Sequence, residues 1–132
     1  MSAKQNVGAN NLALEGYDPV SYFDGKPTEG EPGITSEHEG AVYRFANRAN
    51  KDRFDAAPTD FAPQYGGWCA VAASEGKYFP VNPETYEISD NKLYLFYNGE
   101  QGNTLPQWEE DRDNRRVAAD KHWADADLVD PE

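Results

Sequence analysis

The chain has 132 residues, with 24 Asp or Glu against 12 Lys or Arg, and therefore a net charge of −12 at pH 7. A field of this sign repels phosphate backbones and anionic lipids, so we expect no nucleic-acid partner and no membrane insertion. Residues 12–125 are predicted to form one domain with an aromatic-rich core, flanked by less ordered termini at 1–11 and 126–132. The start of the sequence lacks the apolar segment of a signal peptide.

In chain order, residues 14–23 predict a turn and then a short extended segment, and a Gly/Pro-rich loop comes next. Residues 34–38 and 41–45 are strand-like, and Glu39-Gly40 between them suits a hairpin turn. Asn47 is a suitable N-cap for a helix over 48–56.

A second hairpin is predicted over 85–89 and 92–97, with Asp90-Asn91 as its turn. Thr104 and Gln107 match a capping box, with Pro106 in the first turn, and a further helix is predicted through Trp123. We find no internal repeat in the sequence. These elements predict an α+β domain, a small antiparallel sheet built from two β-hairpins with about four short helices.

The only cysteine lies in the segment Tyr65-Gly66-Gly67-Trp68-Cys69-Ala70. If Cys69 starts a short helix, it could be a redox-reactive thiol or one ligand of a shared metal, with Trp68 beside it. It could equally be a small apolar residue packed under Trp68, because cysteine is among the most buried residue types.

Three further residues are candidates. His38 lies between Glu37 and Glu39 and could ligate a metal together with Cys69, or it could be an exposed turn residue. Asp18, next to Tyr17, either braces a turn through its side chain or supplies a pocket carboxylate. The sequence carries none of the nucleophile-elbow, phosphate-loop or zinc-protease motifs, so the residues alone leave open whether the protein is an enzyme.

Several ordered blocks resemble the YHS-domain family, over about 12–123 of the chain. The similarity is greatest to its stand-alone, exported bacterial members, which implies a periplasmic or secreted protein, with a cytoplasmic one left open. The matching blocks are Gly16-Tyr17-Asp18-Pro19-Val20-Ser21-Tyr22-Phe23, Tyr43-Arg44-Phe45-Ala46, Phe61-Ala62-Pro63-Gln64-Tyr65-Gly66-Gly67-Trp68-Cys69-Ala70 and Lys92-Leu93-Tyr94-Leu95.

The same resemblance bears on metals. Metal-binding YHS domains carry cysteines at the places held here by Ser21, Ala46 and Asn50, which are poor groups for copper or zinc. We therefore expect no tight metal, with copper as the first candidate if one binds.

These observations support three hypotheses about function. The first is a small non-enzymatic binding module of the metal- or small-ligand-handling type. The second is a single-cysteine thiol redox protein using Cys69, and the third is a scaffold domain for a protein partner. A co-purifying metal or ligand favours the first hypothesis, and an accessible, reactive Cys69 favours the second. If neither is found, the scaffold hypothesis is favoured.

Overall fold

The computed structural model describes residues 4–131 and confirms the α+β class. The described residues contain five α-helices, four short 3-10 helices and three β-hairpins. The strands are β1 Glu31–His38, β2 Ala41–Phe45, β3 Asn82–Ser89, β4 Lys92–Phe96, β5 Asn98–Gly99 and β6 Gly102–Asn103. The α-helices are α1 Arg48–Ala56, α2 Pro58–Phe61, α3 Ala70–Ser74, α4 Leu105–Glu110 and α5 Arg112–Asp125, and the 3-10 helices are Ala9–Asn11, Leu14–Gly16, Val20–Asp24 and Gln64–Gly67.

Both predicted hairpins form, with the turns at the predicted residues. β1 pairs antiparallel with β2, and β3 pairs antiparallel with β4. The turn residues Glu39, Gly40, Asp90 and Asn91 all have positive φ, as two-residue hairpin turns require. Within the described residues the hairpins remain separate two-stranded sheets, where the prediction grouped them in one.

Local capping explains where the helices begin. Asn47 Oδ1 accepts a hydrogen bond from the N–H of Asn50 at 2.8 Å, and α1 has the predicted bounds. α4 also forms, but in place of the predicted capping box the Thr104 hydroxyl donates to the carbonyl of Tyr97 at 3.0 Å. The segment predicted to be extended instead forms a 3-10 helix from Val20, because Asp18 accepts the N–H of Val20 there.

Strand β4 lies between two apolar clusters and belongs to both. Its alternate residues Leu93 and Leu95 pack with the first hairpin and α1, whereas Tyr94 and Phe96 pack with α3 and Trp108. All four side chains are buried. The alternation of side chains across a strand therefore makes β4 the link between the two clusters.

The structure contains an internal repeat that the sequence analysis missed. Residues 14–45, the first unit, and residues 65–96, the second unit, have the same strand bounds at a constant offset of 51 residues. The strand pairing is also the same, including the irregularity between Glu31 and Thr35 and its counterpart between Asn82 and Tyr86. The repeat escapes notice in the sequence because only seven of the 32 pairs are identical, namely Gly16/Gly67, Val20/Val71, Gly25/Gly76, Lys26/Lys77, Pro32/Pro83, Tyr43/Tyr94 and Phe45/Phe96.

Backbone hydrogen bonds repeat at the same offset. The N–H of Asp18 donates to the carbonyl of Thr28 at 2.8 Å, and the N–H of Cys69 donates to that of Phe79 at 3.0 Å. The N–H of Tyr17 donates to the carbonyl of Leu14, as that of Trp68 does to Tyr65. The N–H of Lys26 donates to the carbonyl of Ser21, as that of Lys77 does to Ala72. The two units therefore share one backbone design built from largely different side chains.

Several residues of the two terminal segments make specific contacts. The N–H of Asn6 donates to the carbonyl of Gly66, and the N–H of Tyr78 donates to that of Val129. Leu128 is buried in the cluster around α3. Residues 1–3 and 132, which the prediction also covered, lie outside the described residues.

Candidate functional site: two equivalent corners

The residues predicted for ligand or redox chemistry occupy equivalent positions in the two units. Tyr17 and Asp18 in the first unit correspond to Trp68 and Cys69 in the second, at the offset of 51 residues. Each pair comes directly after three consecutive residues with positive φ, Leu14 to Gly16 in one unit and Tyr65 to Gly67 in the other. These left-handed turns place each pair at the start of a short helix.

Asp18 is fully buried, and its side chain holds the first corner together. Its Oδ1 accepts the N–H groups of Val20 at 2.8 Å and Ser21 at 3.3 Å. Its Oδ2 accepts the N–H of Ala46 and the side-chain amide of Asn50, both at 2.8 Å. These four bonds use the lone pairs of the carboxylate, so Asp18 braces the turn as the first of its two interpretations predicted.

Ser21, Ala46 and Asn50 converge on this carboxylate. Ser21 and Ala46 donate to Asp18 through their backbones, and Asn50 does so through its side chain. The Ser21 hydroxyl donates to the carbonyl of Asp18 and accepts the N–H of Thr28. These residues are adjacent in space and form one hydrogen-bonded network.

Cys69 is 1% exposed and directly precedes α3, for which it is the N-cap residue. Its Sγ lies 3.4 Å from the Thr104 hydroxyl oxygen. Its backbone bridges to Leu95 of β4, and its carbonyl accepts the N–H of Ala73 at 2.9 Å. The thiol therefore faces the interior, next to one polar neighbour.

The two units are succeeded along the chain by different elements, and this difference leaves a cavity beside Cys69. After the first unit, α1 brings Asn50 onto Asp18. After the second unit, the chain instead forms the β5–β6 hairpin before α4. A cavity of about 240 Å³ remains, and it is lined by Cys69, Val71, Ala72, Glu75, Lys77, Phe79, Tyr97, Gln101, Thr104 and Gln107.

The aromatic members of the two pairs are partly buried. Tyr17 packs against the first-unit cluster. Desolvation, followed by the charges of Glu84, Glu29 and Glu15, raises the pKa of its hydroxyl. Trp68 lies 4.9 Å from the ring of Tyr78, and its Nε1 donates to the carbonyl of Lys4 at 2.9 Å. Trp68 therefore contacts the N-terminal segment, while Cys69 faces the cavity.

His38 is not brought together with Cys69. Its side chain is 20% exposed and packs edge-on against Phe54, with ring centroids 6.0 Å apart, so it is not the exposed turn residue of one interpretation. Its Nε2 lies 3.8 Å from Glu39. It lines a different cavity, of about 200 Å³, formed with Tyr65 and Trp123. Among residues 4–131, no three His, Cys, Asp or Glu side chains group closely enough to hold a metal ion.

Sequence reasoning missed the residues that complete the cavity, above all Gln101 and Thr104. The repeat could have indicated them, since counting 51 residues on from Asn50 gives Gln101. A larger groove, of about 760 Å³, lies between α2 and the turn at Asp90, and it is lined by none of the predicted candidates.

Comparison with known proteins gave no match to a family model, to a curated protein or to a solved structure. Across the described part of the chain, the helices are too short or too polar to span a bilayer.

Proposed function

We propose that this chain is a small, exported, non-enzymatic binding module of the YHS type, and that its ligand site is the cavity beside Cys69. The observation that supports the proposal is the contrast between the two units. The equivalent place in the first unit is closed by Asp18 and Asn50, whereas about 240 Å³ stays open in the second. We infer that the closed corner of the first unit stabilises the fold and that the open corner of the second unit binds the ligand.

The lining of the cavity indicates the class of ligand. Val71, Ala72 and Phe79 supply apolar surface. The polar side of the lining comes from Glu75, Lys77, Gln101, Thr104 and Gln107. Sites for drug-sized molecules usually measure about 300–1,000 Å³, so this one suits a smaller molecule. We propose a small organic ligand with one polar end.

The same reasoning argues against a tightly held metal. Copper and zinc prefer thiolate and imidazole ligands, and Cys69 and His38 line separate cavities. The carboxylate of Asp18 is already used by four donors. Competition titration with a chelator should therefore show only weak binding of copper(I) or zinc.

Native mass spectrometry and elemental analysis of untagged protein from its own host test both parts of this proposal. A co-purified small molecule supports it, and a stoichiometric metal overturns it. For protein without a bound molecule, ligand-observed NMR with small polar fragments locates the site. Ala72→Leu, which fills the cavity, should abolish fragment binding, and Ala124→Leu on the exposed surface of α5 should not. Equal binding by both variants would contradict the proposed site.

The redox hypothesis can be tested against the burial of Cys69. A thiol that reacts as a nucleophile needs access to solvent, and Cys69 is 1% exposed. We therefore rank the binding module first. Rapid reaction of the native thiol with a labelling reagent would reverse that order.

A further inference from the structure

The corner at Tyr65-Gly66-Gly67-Trp68 holds an extended piece of the N-terminal chain, residues 4–6. The N–H of Asn6 donates to the carbonyl of Gly66 at 2.9 Å, and its side-chain amide donates to that of Gly67 at 3.0 Å. Trp68 Nε1 donates to the carbonyl of Lys4 at 2.9 Å. Three hydrogen bonds therefore seat three residues of extended chain on this corner.

The Lys4 ammonium group is held by two aromatic rings and a carboxylate. Its Nζ lies 4.7 Å from the ring centre of Tyr78 and 5.5 Å from that of Trp68. It also lies 2.7 Å from Asp130 Oδ1. Aromatic faces attract a cation, and a carboxylate adds a charge partner. We call Trp68, Tyr78 and Asp130 the lysine cradle.

Gly66 gives this corner the shape that an approaching chain needs. A Cβ at Gly66 would lie 2.7 Å from the ring of Trp123, 3.2 Å from the carbonyl oxygen of Lys4 and 3.3 Å from the side chain of Gln5. The equivalent residue of the first unit is Glu15, which has a side chain. The close approach of Trp123 and of residues 4–5 together therefore accounts for the first glycine of the Gly-Gly motif.

We propose that this corner is a docking site for an extended peptide that presents Lys-x-Asn, and that the chain's own residues 4–6 are a built-in competitor for it. The contacts are concentrated on one lysine, one asparagine and the backbone, so they define a sequence preference. The ion pair between Lys4 and Asp130 adds little to the hold on the competitor, because the two side chains are 51% and 70% exposed. The net charge of −12 draws basic peptides towards the surface.

The site is separate from the cavity beside Cys69, and its test does not depend on that cavity. The probe is a fluorescent peptide with the sequence of residues 2–8, Ser-Ala-Lys-Gln-Asn-Val-Gly, and the readout is fluorescence anisotropy with the full chain. Lys4→Ala loosens the built-in competitor, so this variant should bind the peptide roughly 5-fold more tightly than the wild type does. Replacing either the Lys or the Asn of the peptide with Ala should weaken binding roughly 5-fold or more.

Two further variants separate this docking from general charge attraction. Lys121→Ala removes an exposed lysine that pairs with Asp125 on α5, so it changes the net charge equally and should bind the peptide as the wild type does. Asp130→Asn, added to Lys4→Ala, removes the carboxylate of the cradle and should weaken binding roughly 2-fold. The proposal is overturned if Lys4→Ala does not bind the peptide more tightly than the wild type, or if Lys121→Ala has the same effect as Lys4→Ala.

Discussion

Asp18 and Cys69 occupy equivalent backbone positions in the first and second units, but their side chains have different roles. Each precedes a short helix, and each donates its N–H to the carbonyl ten residues further on. The carboxylate of Asp18 satisfies four donors. The thiol of Cys69 has Thr104 as its polar neighbour and borders a cavity. The side chain at this position and the element that follows each unit together make one corner a brace and the other part of a cavity wall.

Asp18→Asn should destabilise the protein by about 2–4 kcal/mol, because an amide nitrogen would then face two N–H donors in either orientation of the side chain. Urea unfolding measures this loss in the free energy of unfolding. Asn50→Ala removes a single donor and should cost only about 1 kcal/mol. Equal losses for the two variants would show that Asp18 does not organise the corner.

The thiol of Cys69 should react slowly with a labelling reagent in the native protein and rapidly after unfolding, because it is buried. Labelling kinetics followed by mass spectrometry measures both rates. A native rate close to the unfolded one would contradict the burial.

Thr104 should determine how well a serine is tolerated at position 69. Cys69→Ser should cost about 1 kcal/mol in the wild type, since the new hydroxyl has the Thr104 hydroxyl within reach. In a Thr104→Val background the same change should cost about 1–3 kcal/mol, because the hydroxyl loses its partner. Denaturant unfolding of the four proteins forms a double-mutant cycle. An additive cycle would show that the two side chains do not interact.

At the scale of elements, the left-handed corners position the pairs that the sequence analysis singled out. Tyr65, Gly66 and Gly67 all have positive φ, and the N–H of Trp68 donates to the carbonyl of Tyr65 at 3.0 Å. A bulky residue rarely adopts positive φ. The surrounding contacts must therefore hold Tyr65 there, and its hydroxyl donates to Asp120 of α5 at 2.7 Å.

Gly66→Ala should lower the free energy of unfolding by more than its backbone strain alone would. A Cβ there would lie 2.7 Å from the ring of Trp123, and the residue has φ +61°. Gly25→Ala is the matched control, since Gly25 has φ +92° and a Cβ there would meet no described atom within 4 Å. We expect about 1 kcal/mol for Gly25→Ala and about 2–4 kcal/mol for Gly66→Ala, measured by thermal unfolding. Equal losses of stability for the two variants would show that the Trp123 side chain can move aside and that the corner is not tightly packed.

For the whole molecule, the sequence predicted the elements whose signals are local. The Asp90-Asn91 turn and the Asn47 cap each need only a few neighbouring residues, and both form. The 3-10 helix at Val20 was missed because Asp18, which accepts the N–H of Val20, is held in place by Ala46 and Asn50, far along the chain.

The candidate site was predicted only in part, for a similar reason. Asp18 and Cys69 were identified as candidates, but their equivalence depends on backbone geometry that few identical residues reveal. The cavity depends on the element that succeeds each unit, α1 in one case and the β5–β6 hairpin in the other. A tertiary difference of this kind leaves no motif in a single sequence.

The core also contains a set of tyrosines that couples folding to alkaline pH. Burial raises the pKa of Tyr22 and Tyr43 well above its usual value. Burial also raises the pKa of Tyr65, which donates a hydrogen bond to Asp120. In the unfolded chain a tyrosine titrates near pH 10. The unfolded state therefore releases these protons first, so the stability they contribute is complete below about pH 10 and is lost as the pH rises further.

The free energy of unfolding should accordingly be level between about pH 8 and 9.5 and then fall by roughly 1.4 kcal/mol per pH unit for each buried tyrosine. Urea unfolding across this range measures the slope, and the near-ultraviolet absorbance of tyrosinate reports ionisation. Tyr65→Phe should reduce the slope of the unfolding free energy above pH 10 by the contribution of one tyrosine. If Tyr65→Phe leaves the slope unchanged, or if every tyrosine titrates near pH 10 while the protein stays folded, the buried hydroxyls do not link stability to pH.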